Sequence, residues 1–168
     1  MKYSWLPSFK IADLNNIWDK APSKAGVYVI SCGRQLARLG GNDPAGIIYV
    51  GKSLCVRDRL WTYWKAEHEA SGILWDIPEV AGAIFGKRVR SSDDVTPLIE
   101  QSIVWIASPI PRTKLDAAER AVLFIYTLRF GELPPLNSTL PDRWGKKPSK
   151  ASLEWGSQAL NVKHLTSR

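Results

Sequence analysis

Residues 47–64 read IIYVGKSLCVRDRLWTYW, and within this stretch a strand pattern changes into a helix pattern. The first four residues are apolar, aromatic or β-branched, which is typical of a strand. Gly51 interrupts that run, and residues 54–70 then contain no proline or glycine. Val56, Leu60 and Tyr63 follow the i, i+4, i+7 spacing of an amphipathic helix. We therefore predict a strand at 46–50 and a helix over 54–70.

The predicted helix carries two arginines on different edges. At about 100° per residue, Arg59 and Tyr63 share one edge of the apolar stripe. Arg57 falls on the opposite edge, beside Trp61 and Trp64. The helical phase therefore favours Arg59 over Arg57 as the partner of Tyr63 in any function of this segment.

Three further segments predict regular structure. Two strands are predicted at 25–31 and 102–108, and a helix over 116–130 that ends at Gly131. The pattern predicts an α/β fold, with a small central antiparallel sheet of about three strands flanked by helices. The predicted segments are 1–24 as a helical lead-in, 25–140 as the main domain, and 141–168 as a basic extension with a short helix near 150–160.

The charge of the chain points to polyanionic partners. There are 23 Lys and Arg residues against 16 Asp and Glu, which gives a net charge of +7 in 168 residues. Binding of such a surface to phosphates releases counterions, so nucleic acid is the leading partner class. Charge alone does not decide the question, because many basic proteins bind no nucleic acid.

Targeting and cysteine patterns favour a cytoplasmic protein. No apolar run approaches the ~20 residues that cross a bilayer, and residues 1–24 lack the pattern of a signal peptide. Cys32 and Cys55 form neither a CxxC pair nor a disulfide framework. We expect free thiols and no membrane association.

A set of short motifs bears on function. In chain order it comprises Gly26-Val27-Tyr28, Tyr49-Val50-Gly51-Lys52, Arg59, Tyr63, Glu119 and Asn137. In order and spacing the set resembles the GIY-YIG nuclease superfamily over roughly residues 25–138, and it is most similar to the incision domain of bacterial nucleotide excision repair. The first tripeptide has valine in place of isoleucine. The separation between the two strand tyrosines is longer than in the repair enzymes and implies an elaborated hairpin.

The resemblance implies hydrolysis of a DNA phosphodiester, with a task for each residue. Glu119 would bind one Mg²⁺ or Mn²⁺ per site, since these ions accept carboxylate, phosphate and water oxygens. Arg59 would stabilise charge on the scissile phosphate. Tyr28 or Tyr49 would orient and deprotonate the attacking water. Because a free tyrosine has a pKa of about 10, that role needs nearby positive charge, which Lys52 would help to supply.

The remaining motif residues have supporting roles. The resemblance places Tyr63 beside the phosphate or leaving group, and Asn137 as an anchor for backbone or for another site residue. Lys52 and Arg59 would contact DNA. A basic cluster adds candidate contacts to the DNA backbone at Lys87, Arg88 and Arg90.

Each assignment has a structural alternative. Tyrosines on strands are common packing residues, so Tyr28 and Tyr49 alone indicate little. Asp116 and Glu119 have the spacing of a capping box at a helix start. Arg59 is also compatible with a solvated helix surface. The joint occurrence of the motifs favours the nuclease interpretation, because no single alternative explains the whole set.

Other chemistries lack the necessary residues. His68 and His164 are the two histidines, too few for a His-rich zinc site or an HNH-type centre, and the chain contains no complete phosphate-binding P-loop motif. Trp5, Trp18 and Trp105 accompany apolar positions and are predicted to pack. Four tryptophans lie among basic residues and are candidates for stacking on bases: Trp61, Trp64, Trp144 and Trp155.

The sequence thus predicts a metal-dependent DNA endonuclease. A restriction-like enzyme would act as a homodimer, since one such site cuts one strand. A repair enzyme would cut one strand with the help of a partner. The alternative from another class is a catalytically silent nucleic-acid-binding module with the same fold.

Overall fold

The computed structural model describes residues 3–13, 18–61, 102–137 and 148–160. The described helices are α1, which begins at residue 56 and is described as far as residue 61, α2 (Arg112–Phe130) and α3 (Lys150–Ala159). The described strands are β1 (Phe9–Lys10), β2 (Gly26–Ser31), β3 (Leu36–Arg38), β4 (Gly41–Asp43), β5 (Ile47–Ser53) and β6 (Ile103–Ala107). A four-stranded antiparallel sheet has the order β1-β6-β2-β5, and β3 pairs with β4 in a second sheet. The predicted α/β class is confirmed, and β3 and β4 elaborate the hairpin between β2 and β5 as expected.

The N-terminal segment contributes a strand to the sheet. Phe9 pairs with Val104 of β6, and the backbone N–H of Leu6 donates to the carbonyl of Ile106 at 2.7 Å. In the region of the expected helix, the described residues form short 3₁₀ turns at Ile11–Asp13 and Trp18–Lys20, and residues 14–17 lie outside the described part of the chain. This pairing satisfies backbone N–H and C=O groups along the edge of β6. Those groups would have no strand partner if the N-terminal segment formed a separate helix.

The central sheet separates two hydrophobic cores. Val27 and Val29 of β2 lie in one core with the buried side of α2, whereas Tyr28 and Ile30 lie in the other core with Val56 of α1. This division follows from the period of a strand, in which successive side chains point to opposite faces. The alternation thereby decides which face of the sheet a side chain on these strands occupies.

A β-bulge at Ile48 adjusts this alternation within β5. Ile30 pairs with Tyr49, but the next residue, Ser31, pairs with Ile47. Ile48 is therefore the additional residue, and it packs on the same side as Tyr49 while Ile47 packs on the α2 side. The bulge lets consecutive isoleucines fill both cores.

Gly51 lies within β5 and does not end it, so the strand is longer than the predicted 46–50. It pairs with Tyr28, and a Cβ atom at Gly51 would lie 2.5 Å from Tyr28 Oη and 2.7 Å from Tyr49 Cε1. Glycine is needed here because two tyrosine rings approach the strand backbone. Pairing with β2 then continues to Ser53.

A buried carboxylate anchors the loop between β4 and β5. Asp43 is buried and accepts hydrogen bonds from the backbone N–H groups of Ala45, Gly46 and Ile47 at 2.8–3.1 Å. The Tyr126 hydroxyl of α2 donates to Asp43 Oδ2 at 3.1 Å. Burial, and then the nearby Asp43, raise the pKa of Tyr126, which keeps that donor proton in place. The loop that leads into β5 is thus fixed to α2.

Helix α2 begins four residues earlier than predicted, and this changes the interpretation of Asp116 and Glu119. Pro111 precedes the first turn, and no side chain caps the helix start. Asp116 and Glu119 therefore lie inside the helix, and the capping-box alternative is wrong. The predicted end is confirmed, because Gly131 adopts a left-handed φ of 75° and donates to the Thr127 carbonyl.

Helix α3 confirms the short helix expected near 150–160 and packs closely on α2. A Cβ atom at Gly156 would lie 2.8 Å from the Ala121 carbonyl oxygen, so the two backbones nearly touch. Trp155 stacks on Trp5 with ring centroids 5.3 Å apart, and its Nε1 donates to the Tyr3 carbonyl at 2.8 Å. Trp155 is only 2% exposed, so its predicted role in base stacking is wrong. Described residues from before position 25 and from after position 140 therefore pack into the same hydrophobic core as residues 25–140.

Trp155→Ala is expected to lower the free energy of unfolding by about 3–5 kcal/mol, because it removes a buried indole that joins both ends of the chain. Urea unfolding followed by circular dichroism measures the change. Gln158→Ala, at an exposed position on the same helix, is the control and should stay within about 0.5 kcal/mol of the wild type. Similar values for the two variants would contradict this packing.

Candidate active site

One lysine bridges two carboxylates between β5 and α2. Lys52 Nζ lies 2.6 Å from Glu119 Oε2 and 3.1 Å from Asp116 Oδ1. The two acids are three residues apart, so they share one side of α2. The side chain of Glu119 is 13% exposed and that of Asp116 is 75% exposed, which makes Glu119 the inner member of the pair.

Burial and the opposite charges act against each other on the pKa values of Glu119 and Lys52. Burial raises the pKa of Glu119, Lys52 opposes that rise, and Asp116 adds to it. Burial also acts to lower the pKa of Lys52, but Glu119 and Asp116 outweigh it and the pKa is raised. Lys52 is thus firmly held as an ammonium, whereas the Glu119 carboxylate would gain from further positive charge.

Tyr28 and Tyr49 form a second cluster on the other face of the sheet. Their ring centroids are 6.1 Å apart and their planes are inclined by 39°. Tyr28 is completely buried, whereas Tyr49 is half-buried. Of the two candidate bases, Tyr49 is therefore the one whose side chain reaches solvent.

The two clusters lie on opposite faces at the end of one strand. Tyr28 pairs with Gly51 and points into the α1 core, whereas Lys52 pairs with Val27 and points towards α2. Gly51 and Lys52 are consecutive, and β5 is the outermost strand of the four-stranded sheet. Both clusters therefore border the same end of an edge strand.

Asn137 is fixed to that edge strand. Its Nδ2 donates to the Val50 carbonyl at 2.8 Å, and its Oδ1 accepts from the Val50 N–H at 2.9 Å. The preceding Leu136 N–H donates to the Ile48 carbonyl at 2.9 Å. The side-chain amide thus completes the backbone pairing of β5 just before Gly51.

The two arginines of α1 have different surroundings. Arg57 donates from Nε to the Ala21 carbonyl at 2.8 Å and from Nη2 to the Asp19 carbonyl at 2.9 Å. Arg57 thereby ties α1 to the turn before β2, and Arg59, two residues on, lies partly exposed on the helix. Tyr63, Lys87, Arg88 and Arg90 lie outside the described residues.

Asp116 and Glu119 on α2 are chemically suitable ligands for a hard divalent cation. Magnesium is commonly held by one or two carboxylates together with waters and substrate phosphates. Glu119 and Asp116 provide such oxygens on one side of α2. Among the described residues no group of three or more His, Cys, Asp or Glu side chains is placed to hold a metal ion, so the remaining ligands would be water and phosphate.

Asp116 is the site residue that the sequence analysis did not identify. Its spacing of three residues from Glu119 places both acids on one side of a helix. The same spacing also fits a capping box when the helix is predicted to begin at Asp116, so the sequence alone does not single out Asp116 as a site residue.

Comparisons with protein-family models, with curated proteins and with solved structures gave no match. The resemblance to GIY-YIG nucleases therefore rests on the motif residues alone. In the described parts of the chain, none of the helices combines the length and the apolar character needed to cross a membrane.

Asn137→Ala is expected to lower the free energy of unfolding by about 1–3 kcal/mol, because both polar backbone groups of Val50 lose a partner. Hydrogen exchange at the Val50 amide should accelerate in the same variant. Asn42→Ala, at an exposed asparagine on β4, is the matched control and should change neither quantity appreciably. An unchanged Val50 exchange rate in Asn137→Ala would refute this anchoring.

Proposed function

We propose that this protein is a metal-dependent DNA endonuclease of the GIY-YIG type that acts in the cytoplasm. One observation carries the proposal: motif residues from distant parts of the chain surround the end of β5. Glu119 contacts Lys52 across 67 positions of sequence, and Asn137 contacts Val50 across 87. Tyr28 lies opposite Gly51 in the neighbouring strand.

In this proposal, different side chains have different roles in phosphodiester hydrolysis. Lys52 and Arg59 bind the phosphate through positive charge, and Arg59 stabilises the charge that builds on its oxygens. Tyr49, which is half-buried, orients the attacking water, and the buried Tyr28 supports its ring. A divalent ion held by Glu119 would supply Lewis-acid stabilisation of the phosphate and of the departing oxygen.

The edge position of β5 explains how residues on two faces serve one phosphate. The tyrosines approach from the α1 side and Lys52 with Glu119 from the α2 side. Because β5 is outermost in its sheet, a DNA strand that passes its end meets both sides. The net charge of +7 favours such an approach of a polyanion.

Two arrangements of the active protein fit this function. Cleavage of both strands requires two copies of the site and hence a homodimer, as in a restriction-like enzyme. Cleavage of one strand requires a single copy and suits repair. The solution mass of the protein on DNA distinguishes the two.

One observation favours the alternative, a nucleic-acid-binding module without catalysis. Lys52 already neutralises Glu119 at 2.6 Å, so this carboxylate has a structural partner without any metal. Such a module would bind DNA with a steep dependence on salt and would cleave none. The nuclease proposal is the stronger because it accounts for the whole set of motif residues around the end of β5, whereas this alternative accounts only for the Lys52–Glu119 pair.

The protein is expected to nick supercoiled plasmid in Mg²⁺ or Mn²⁺, and Arg59→Ala should slow nicking by roughly 10²–10³-fold, because it removes charge stabilisation in the transition state. Gel electrophoresis of the relaxed form measures the rate. Arg57→Ala is the matched control: it loses hydrogen bonds to the Ala21 and Asp19 carbonyls and should lower the melting temperature but not the nicking rate of folded protein.

Equal losses of nicking in Arg57→Ala and Arg59→Ala would overturn the assignment of Arg59. Absence of nicking on plasmid, branched and damaged DNA with either ion, in protein that still binds DNA, would overturn the nuclease proposal and establish the binding module.

A further inference from the structure

Lys52 already occupies the Glu119 oxygen that a metal ion would need. Lys52 Nζ lies 2.6 Å from the Glu119 oxygen, a distance typical of a short, charge-assisted hydrogen bond. A cation that used this oxygen would compete with the ammonium for it. The same ammonium is one of the groups that the proposed function assigns to the DNA phosphate.

We infer that Lys52 is an internal counter-ion that exchanges partners, holding Glu119 in the free protein and moving to a DNA phosphate when Glu119 takes a divalent cation. This inference rests on the proposed nuclease function and concerns how that site is assembled. It assigns to Lys52 a regulatory role in addition to phosphate contact.

Burial indicates which member of the pair moves. The Glu119 side chain is 13% exposed and projects from the middle of α2, which packs against the sheet. The Lys52 side chain is 35% exposed, and a lysine ammonium sits on a flexible four-carbon stem. The carboxylate is therefore the fixed group and the ammonium the mobile one.

Asp116 makes the exchange easier. It lies 3.1 Å from Lys52 Nζ and is 75% exposed, so it offers the ammonium a second partner towards solvent. Lys52 can thus leave Glu119 without losing every negative neighbour. Asp116 also adds a carboxylate to the region that Lys52 vacates, which favours a cation there.

Partner exchange predicts positive coupling between cation and DNA. A phosphate that draws Lys52 away removes the competitor for Glu119, and a cation on Glu119 releases Lys52 for the phosphate. Each ligand should therefore increase the affinity for the other, and linkage requires both increases to be the same factor. If Lys52 has only a packing role, replacing it should not change the coupling between the cation and DNA.

Calorimetric titration of Ca²⁺ into the full chain, with and without a short DNA duplex, tests the inference by binding and not by turnover. In the wild type, saturating DNA should tighten Ca²⁺ binding by about tenfold, within the range of coupled sites. In Lys52→Met, Ca²⁺ should bind about tenfold more tightly than to the wild type without DNA, and DNA should tighten Ca²⁺ binding by a clearly smaller factor than in the wild type, because only direct contact between the cation and phosphate remains.

Lys114→Met is the matched control, because it removes the same charge from an exposed position two residues before Asp116. It should change Ca²⁺ affinity by less than about twofold, since an exposed charge is well screened. Circular dichroism verifies the fold of each variant, and Lys52→Gln serves if Lys52→Met does not fold. If neither Lys52 variant folds, the inference is overturned when DNA leaves the Ca²⁺ affinity of the wild type unchanged.

Two other results are informative. If Glu119→Gln abolishes Ca²⁺ binding but Lys52→Met binds no more tightly than the wild type, partner exchange is overturned and the metal site stands. If neither the wild type nor any variant binds Ca²⁺, both the partner exchange and the metal site of the proposed function are overturned.

Discussion

The alternation of side chains along the paired strands β2 and β5 is the constraint on which the rest of the structure depends. It sends Tyr28 into the α1 core and Val27 into the α2 core, and the same alternation continues along both strands except at the bulge. A shift of β5 by one residue would turn Tyr49 towards α2 and would turn Lys52 away from Glu119. The bulge at Ile48 and the Asp43 anchor before β5 both act to fix the register.

This constraint gives the candidate site its two-sided form. The polar groups do not collect in one pocket on one face, because Tyr49 and Lys52 lie on opposite sides of the same strand. Asn137 closes the outer edge of β5 as far as Val50 and so leaves Gly51 and Lys52 as the next residues along it. The end of the strand is the place where chemistry from both faces can meet.

The sequence predicted elements that depend on local patterns and missed those that depend on distant partners. The cores of β2, β6 and α2 were predicted, as was the stop at Gly131, because apolar runs and helix-ending glycines are local signals. Gly51 resembles a strand break in the sequence because the reason for the glycine, the close approach of Tyr28, lies on another strand. The N-terminal strand was missed because it forms only by pairing with β6. The Lys52–Asp116–Glu119 cluster depends on how α2 packs, which spacing alone does not determine.

The proposed nuclease depends on one claim, that the two faces of β5 serve one catalytic step. A double-mutant cycle on DNA cleavage with Tyr49→Phe and Glu119→Gln tests it most directly, since residues that act as a unit have strongly non-additive effects. If the claim holds, each single variant loses most of the activity and the double variant is no slower than the slower single one. Effects that multiply in the double variant, or full activity in either single variant, would contradict it.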